Sequence, residues 1–190
     1  MHPDASCPPP SLTSAFGSMN IRPASVSDAD RVLTFLHEFQ AEGLQTVLQH
    51  NTSPTLEQER AFIGKLSGSA GVMLIALKED RVVGCLTAET ATHGQLCHSC
   101  EFGMAVLRAE RGGGIGTALI CHLSEWANAM GMRRIQLKVF ARNTGALRLY
   151  HRLGYEVEGT RRQAVKIGDS YEDLIEMAKT TVHGDKAEVS

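Results

Sequence analysis

The stretch Arg111-Gly112-Gly113-Gly114-Ile115-Gly116 constrains this chain more than any other. An apolar run ends just before it at Val106-Leu107, and Ile115, Leu119, Leu123, Trp126 and Met130 recur after it at helical spacing. The order is strand, glycine-rich turn, helix N-terminus. The first N–H groups of a helix have no partner within the helix, and the helix dipole favours negative charge there. Glycine admits a ligand to the main chain with no Cβ in the way. Residues 111–117 therefore predict a phosphate or pyrophosphate site held by main-chain donors, with Thr117 beside them.

Three loop patterns compete for this stretch. A P-loop needs a lysine after its last glycine, and none is present. A dinucleotide fingerprint started from Gly112 needs a glycine where Thr117 stands. The pattern Arg/Gln-x-x-Gly-x-Gly/Ala is met by Arg111, Gly114 and Gly116. It resembles the acetyl-CoA pyrophosphate loop of the GNAT superfamily of N-acetyltransferases. Taken alone, the loop also reads as a flexible turn before an ordinary helix.

A second signature follows. Ile135, Leu137 and Val139 alternate with Gln136 and Lys138, the pattern of a strand with one buried face. Asn143 comes next, then Ala146, Leu149, Tyr150 and Leu153 at helical spacing, closed by Gly154-Tyr155. Strand, Asn, short helix carrying Tyr, then Gly-Phe/Tyr is similar to the second GNAT signature. The resemblance runs from about Asn20 to Thr180.

The remaining elements read in order. Ile21 opens a short strand, and Ser27 caps a helix carrying Val32, Leu33, Leu36 and Phe39. Ser53-Pro54 begins a second helix that Gly68 ends. Val72 to Leu77 and Arg81 to Thr90 form an antiparallel pair, and a fourth strand spans about Leu96 to Val106. Tyr155 to Ile167 and Tyr171 to Ala178 form a last hairpin. The resemblance implies an α/β (α+β) GNAT fold. That fold has a central mixed, mostly antiparallel sheet of about seven strands, helices on both faces, and a splay between strands 4 and 5.

The chain of 190 residues suits one domain, expected at 19–180. Residues 1–18 carry Pro8-Pro9-Pro10 and no apolar periodicity, and read as a disordered N-terminal extension. Residues 181–190 read as a flexible C-terminal tail. The extension has no basic and apolar regions of a secretory signal. A net charge of −2 argues against a nucleic-acid partner. No apolar run reaches the roughly eighteen residues of a membrane span. The five cysteines, an odd number, suit reduced thiols in a cytoplasmic protein. Cys97 and Cys100, with His93 and His98 nearby, make a weak zinc half-site with no second pair, so no metal is expected.

Acyl transfer from a thioester to an amine needs aligned reactants, a neutral amine, a stabilised oxyanion and a protonated leaving thiolate. The resemblance assigns the parts. Acetyl-CoA is the co-substrate, held at Arg111, Gly112, Gly113, Gly114, Ile115, Gly116 and Thr117. Main-chain groups of Met104, Ala105 and Val106 meet the pantetheine and the thioester, with a bulge that Gly103 would ease. Tyr150 is the general acid, and Asn143 is a helix cap, a cofactor contact, or both. Glu101 is the candidate base, with His98 and water as alternatives. An acceptor pocket is expected from Phe39, Glu42, Leu44 and His50 on one side and Arg161, Arg162 and Tyr171 on the other. The acceptor implied is a small-molecule amine, amino-acid-like or a polyamine. A protein acceptor and a silent acyl-CoA-binding module are the alternatives. Many members of the family form homodimers, and nothing in this sequence marks such a surface.

Overall fold

The structure, a computed structural model, describes residues 19–43, 54–66, 68–92 and 94–180. Leu44, His50, Ser53 and His93 lie outside the described residues. The elements are β1 (Asn20–Pro23), α1 (Ala29–Ala41), α2 (Leu56–Lys65), β2 (Gly71–Lys78), β3 (Arg81–Thr90), β4 (Ser99–Val106), α3 (Ile115–Ala129), β5 (Arg134–Phe140), α4 (Thr144–Arg152), β6 (Glu156–Ile167) and β7 (Ser170–Thr180). They build a 7-stranded sheet in the order β1-β2-β3-β4-β5-β7-β6. Every pairing is antiparallel except β4 with β5.

Helix starts follow local hydrogen bonding, with two shifts from the expected positions. A short 3-10 turn, Val26–Asp28, precedes α1, and Ser25 rather than Ser27 is its cap. The Ser25 N–H donates to Asp28 Oδ2 at 2.8 Å, and Asp28 also receives Arg22 Nη1 and Nη2, each at 2.7 Å. In α2 the cap is Thr55, whose hydroxyl accepts from the Gln58 N–H while Gln58 Oε1 accepts from the Thr55 N–H.

Two cores share the sheet. On one face, α3 and α4 cover Leu74, Leu86, Phe102, Ile135 and Leu137. On the other, α1 and α2 cover Met73, Ile75, Leu77 and Val82. Gly84 lets α3 come close, because a Cβ there would lie 3.0 Å from Ile115 Cγ2 and 3.3 Å from Leu119 Cδ1. Among the described residues, the second pair of helices packs on β2 and β3.

The splay is where the sequence resemblance implies it. β4 pairs with β5 only from Ser99↔Arg134 to Phe102↔Leu137. Past that point β4 stays with β3 out to Val106↔Gly84, and β5 stays with β7 out to Phe140↔Leu174. The sheet opens into a fork with Gly103–Val106 on one arm and 138–140 on the other. The expected bulge at Gly103 is absent, since the β3–β4 register runs unbroken from Gly84↔Val106 to Thr90↔Cys100. The fork opens by divergence of two intact half-sheets, so β4 needs no extra residue.

β4 is shorter than expected. Leu96 closes a 3-10 turn and is 51% exposed, and the strand starts at Ser99. Cys85, Cys97 and Cys100 carry free thiols, as expected, whereas Cys121 is disulfide-bonded. Among the described residues no helix is long and apolar enough to cross a membrane.

Candidate active site

Gly112 and Gly114 take φ of +80° and +85°, the left-handed region that glycine enters without strain. They turn the chain out of β4 and present the start of α3. The first helical bond runs from the Ala118 N–H to Gly114 O at 3.0 Å. Among the described residues, the N–H groups of Gly112, Gly113, Gly114, Ile115, Gly116 and Thr117 donate to no protein acceptor. That is a row of donors at the positive end of a helix, which fits a diphosphate. A Cβ on Gly116 would meet Leu149 Cδ2 at 3.1 Å and Met104 Cε at 3.2 Å. Gly116 is therefore where α3, α4 and β4 converge.

Arg111 is engaged within the protein. Its N–H donates to Arg108 O at 3.3 Å, and its side chain turns away from the loop. Nε donates to Val106 O at 2.8 Å, Nη2 donates to Glu42 Oε2 at 2.8 Å, and the guanidinium lies 5.9 Å from the Phe39 ring centroid. The Arg108 N–H donates to the other Glu42 oxygen at 2.6 Å. Glu42, at the C-terminus of α1, thus latches the β4–α3 connection from the opposite side. Arg152 of α4 reaches the start of α3, where its Nη2 donates to Thr117 Oγ1 at 3.3 Å. In the sequence Arg152 is indistinguishable from an ordinary last-turn cation.

The fork's main-chain groups follow from strand alternation. The Leu107 N–H donates to Val83 O at 3.1 Å. Peptide groups along a strand alternate in direction. Those of Ala105 and Gly103 therefore face β3, and those of Met104 and Val106 face the opening. Asn143 caps α4, its Oδ1 accepting from the Ala146 N–H at 3.2 Å.

Tyr150 is buried at 6% exposure on the α3–α4 face. Its ring contacts Phe102 at 5.9 Å and Tyr155 at 6.0 Å between centroids. Burial pushes its hydroxyl up to about 12, so it keeps its proton at neutral pH.

Glu101 lies on the other face, as the alternation of β4 requires with Cys100 and Phe102 in the core. Lys138 Nζ donates to Oε1 and Oε2, each at 2.9 Å, and Gln136 Nε2 donates to Oε2 at 3.1 Å. His98 is exposed in the turn before β4, where its carbonyl receives the Arg133 and Arg134 N–H groups. It is not on the strand. Of the residues expected around an acceptor, Phe39 and Glu42 sit beside Arg111, and Arg161, Arg162 and Tyr171 are exposed on the β6–β7 hairpin. Cys97 is exposed and Cys100 is buried, so their thiols occupy different environments.

The comparisons agree with this geometry. The model of the acetyltransferase (GNAT) family matches residues 34–155. The L-amino acid N-acetyltransferase AaaT of Escherichia coli (strain K12) is 30% identical over 117 residues, covering 60% of this chain and 72% of that protein. A GNAT-family acetyltransferase from Streptococcus pneumoniae superposes with a TM-score of 0.81 at 26% identity, covering 86% of this chain and 99% of that one. The yncA structure from Salmonella typhimurium, solved with its cofactor acetyl-CoA, has the same fold at a TM-score of 0.80 and 18% identity, covering 92% of this chain and 100% of that one. The chain belongs to the acetyltransferase (GNAT) family and is an N-acetyltransferase.

Proposed function

We propose that residues 19–180 form a domain that acetylates the primary amine of a small molecule, amino-acid-like or a polyamine. The observation that carries this reading is the fork. It is open through the sheet, with Tyr150 on one face and Glu101 on the other. The two candidate proton-transfer groups lie on opposite faces near the point where the strands part, and in this reading the reacting carbon sits between them.

In this reading the N–H groups of Gly112–Thr117 hold the diphosphate, with Arg152 adding a positive charge beside Thr117. Arg111 acts through the loop it braces. The peptide groups of Met104 and Val106 meet the pantetheine arm and the thioester oxygen. Glu101 takes a proton from the acceptor ammonium, and the neutral amine attacks the thioester carbon. The N–C bond forms as the C–S bond breaks. The thiolate takes the Tyr150 proton, the nitrogen releases its second proton to water, which returns one to the tyrosinate, and Glu101 gives its proton up to solvent.

A cavity of about 120 Å³ opens on the Glu101 face, lined by Glu101, Arg134, Gln136, Lys138, Glu158 and Glu176. Its size and charged lining suit a small polar acceptor. The name of the AaaT relative supports an amino-acid-like one. The test is CoA release from acetyl-CoA over a panel of amino acids, polyamines and peptides. Turnover of small amines is expected, and turnover of peptides alone would sink the reading.

A further inference from the structure

Glu101 and Lys138 stand on either side of the fork. Glu101 is in register with Gln136, one pair before the strands part, and Lys138 is the first β5 residue beyond the last pair, Phe102↔Leu137. The Lys138 ammonium bridges both carboxylate oxygens. Neither group is sealed off, with side-chain exposures of 27% for Lys138 and 41% for Glu101. The neighbouring carboxylates have their own cations. Arg134 pairs with Glu158, and Arg161 lies 3.8 Å from Glu176. Lys138 is thus the cation that belongs to the candidate base.

That pairing discriminates among amines. A polyamine at Glu101 carries only positive charge, pushes against Lys138, and leaves it only Glu176, its register partner on β7, which Arg161 already approaches at 3.8 Å. A charge stripped of its partner in a partly desolvated site is costly. A peptide N-terminus brings an ammonium and no adjacent carboxylate, with the same result. A free α-amino acid exchanges like for like. Its ammonium takes the place of Lys138 at Glu101, and its carboxylate takes the place of Glu101 at Lys138. Both protein charges end paired, and Gln136 can still donate to Glu101.

We propose that Lys138 is the specificity-determining residue of the acceptor site, binding the carboxylate of a free α-amino acid whose amine is presented to Glu101. The inference rests on the small-amine reading above and narrows it to a zwitterion.

The experiment compares L-amino acids with their own carboxamides, and with an α,ω-diamine, by steady-state CoA release. In the wild-type protein kcat/KM for the acid is expected to exceed that for the amide by about 100-fold, because the amide separates Lys138 from Glu101 and brings no carboxylate in exchange. In Lys138→Met the acid-to-amide ratio falls to about 1, and in Lys138→Glu the diamine becomes the preferred acceptor. Lys138→Arg keeps the charge and retains a preference for the acid. It guards against a Met variant that fails to fold. Equal use of acid and amide by the wild-type protein overturns the proposal, as does an unchanged ratio in Lys138→Met. Those results leave the small-amine reading standing. Failure of every small amine removes both.

Discussion

The rings of Phe102 and Tyr150 meet edge to face, 5.9 Å between centroids and 79° between planes. Phe102 is also the last residue of β4 paired with β5. One contact therefore ties the tyrosine of α4 to the point where the sheet divides. Aromatic pairs of this geometry contribute ~0.5–1.5 kcal/mol beyond their buried area.

Tyr150→Phe keeps that contact and removes the hydroxyl. For the proposed acid, kcat is expected to fall by ~10²–10⁴-fold, with the calorimetric Kd for acetyl-CoA little changed. Because burial holds the hydroxyl at about 12, its ionisation should cause no loss of kcat from neutral to mildly alkaline pH. Normal turnover by the variant would remove Tyr150 from the mechanism.

Tyr155 poses the opposite case. It is 1% exposed, and its hydroxyl oxygen is buried with no hydrogen-bond partner among the described residues. An unsatisfied buried polar group costs about 1–3 kcal/mol. Tyr155→Phe is expected to raise the unfolding free energy by about 1 kcal/mol. A lowered Tm would show that the hydroxyl has a partner after all.

Glu42 connects the end of α1 to the phosphate loop through the Arg108 N–H and the Arg111 guanidinium. Glu42→Ala frees both groups, and the loop then has more conformations to lose on binding. KM for acetyl-CoA is expected to rise by roughly 10-fold, the loss of about one charged hydrogen bond. Arg111→Ala should do much the same, and the double variant should be no worse than either alone. Additive losses would mean that the two residues act separately.

Asp28 governs stability in acid. The Arg22 hydrogen bonds hold its carboxyl well below the usual carboxylate range, assisted by Ser25. With the folded pKa below the unfolded value of ~3.9, its contribution is fully present above about pH 5 and is lost as pH falls through the acid range. Asp28→Asn is expected to cost ~2–3 kcal/mol near neutral pH, less than for a fully enclosed pair because Arg22 is partly exposed. Urea unfolding at several pH values should show the difference from wild type narrowing below about pH 4. A constant difference would assign the effect to packing.

Much of the fold was legible in the chain. Strand alternation at Ile135, Leu137 and Val139, helical spacing from Ile115 to Met130, and glycines at Gly112 and Gly114 each imprint a local geometry. The phosphate loop and the helix bearing Tyr150 could be named from such spacings, because period and φ are properties of neighbouring residues. Element boundaries were less legible at Ser25, Thr55 and Ser99, where caps and turns set the ends.

The sequence by itself determined which segments are strands and helices, and that a glycine turn opens α3. Tertiary structure decided what the side chains around that turn do. Arg111 turns to Glu42, Arg152 reaches Thr117, and Lys138 closes on Glu101. Each pair joins residues far apart in the chain, and which side chains meet depends on strand order and register. A repeat of two or of 3.6 residues specifies which face a side chain occupies. It carries no information about which distant partner shares that face.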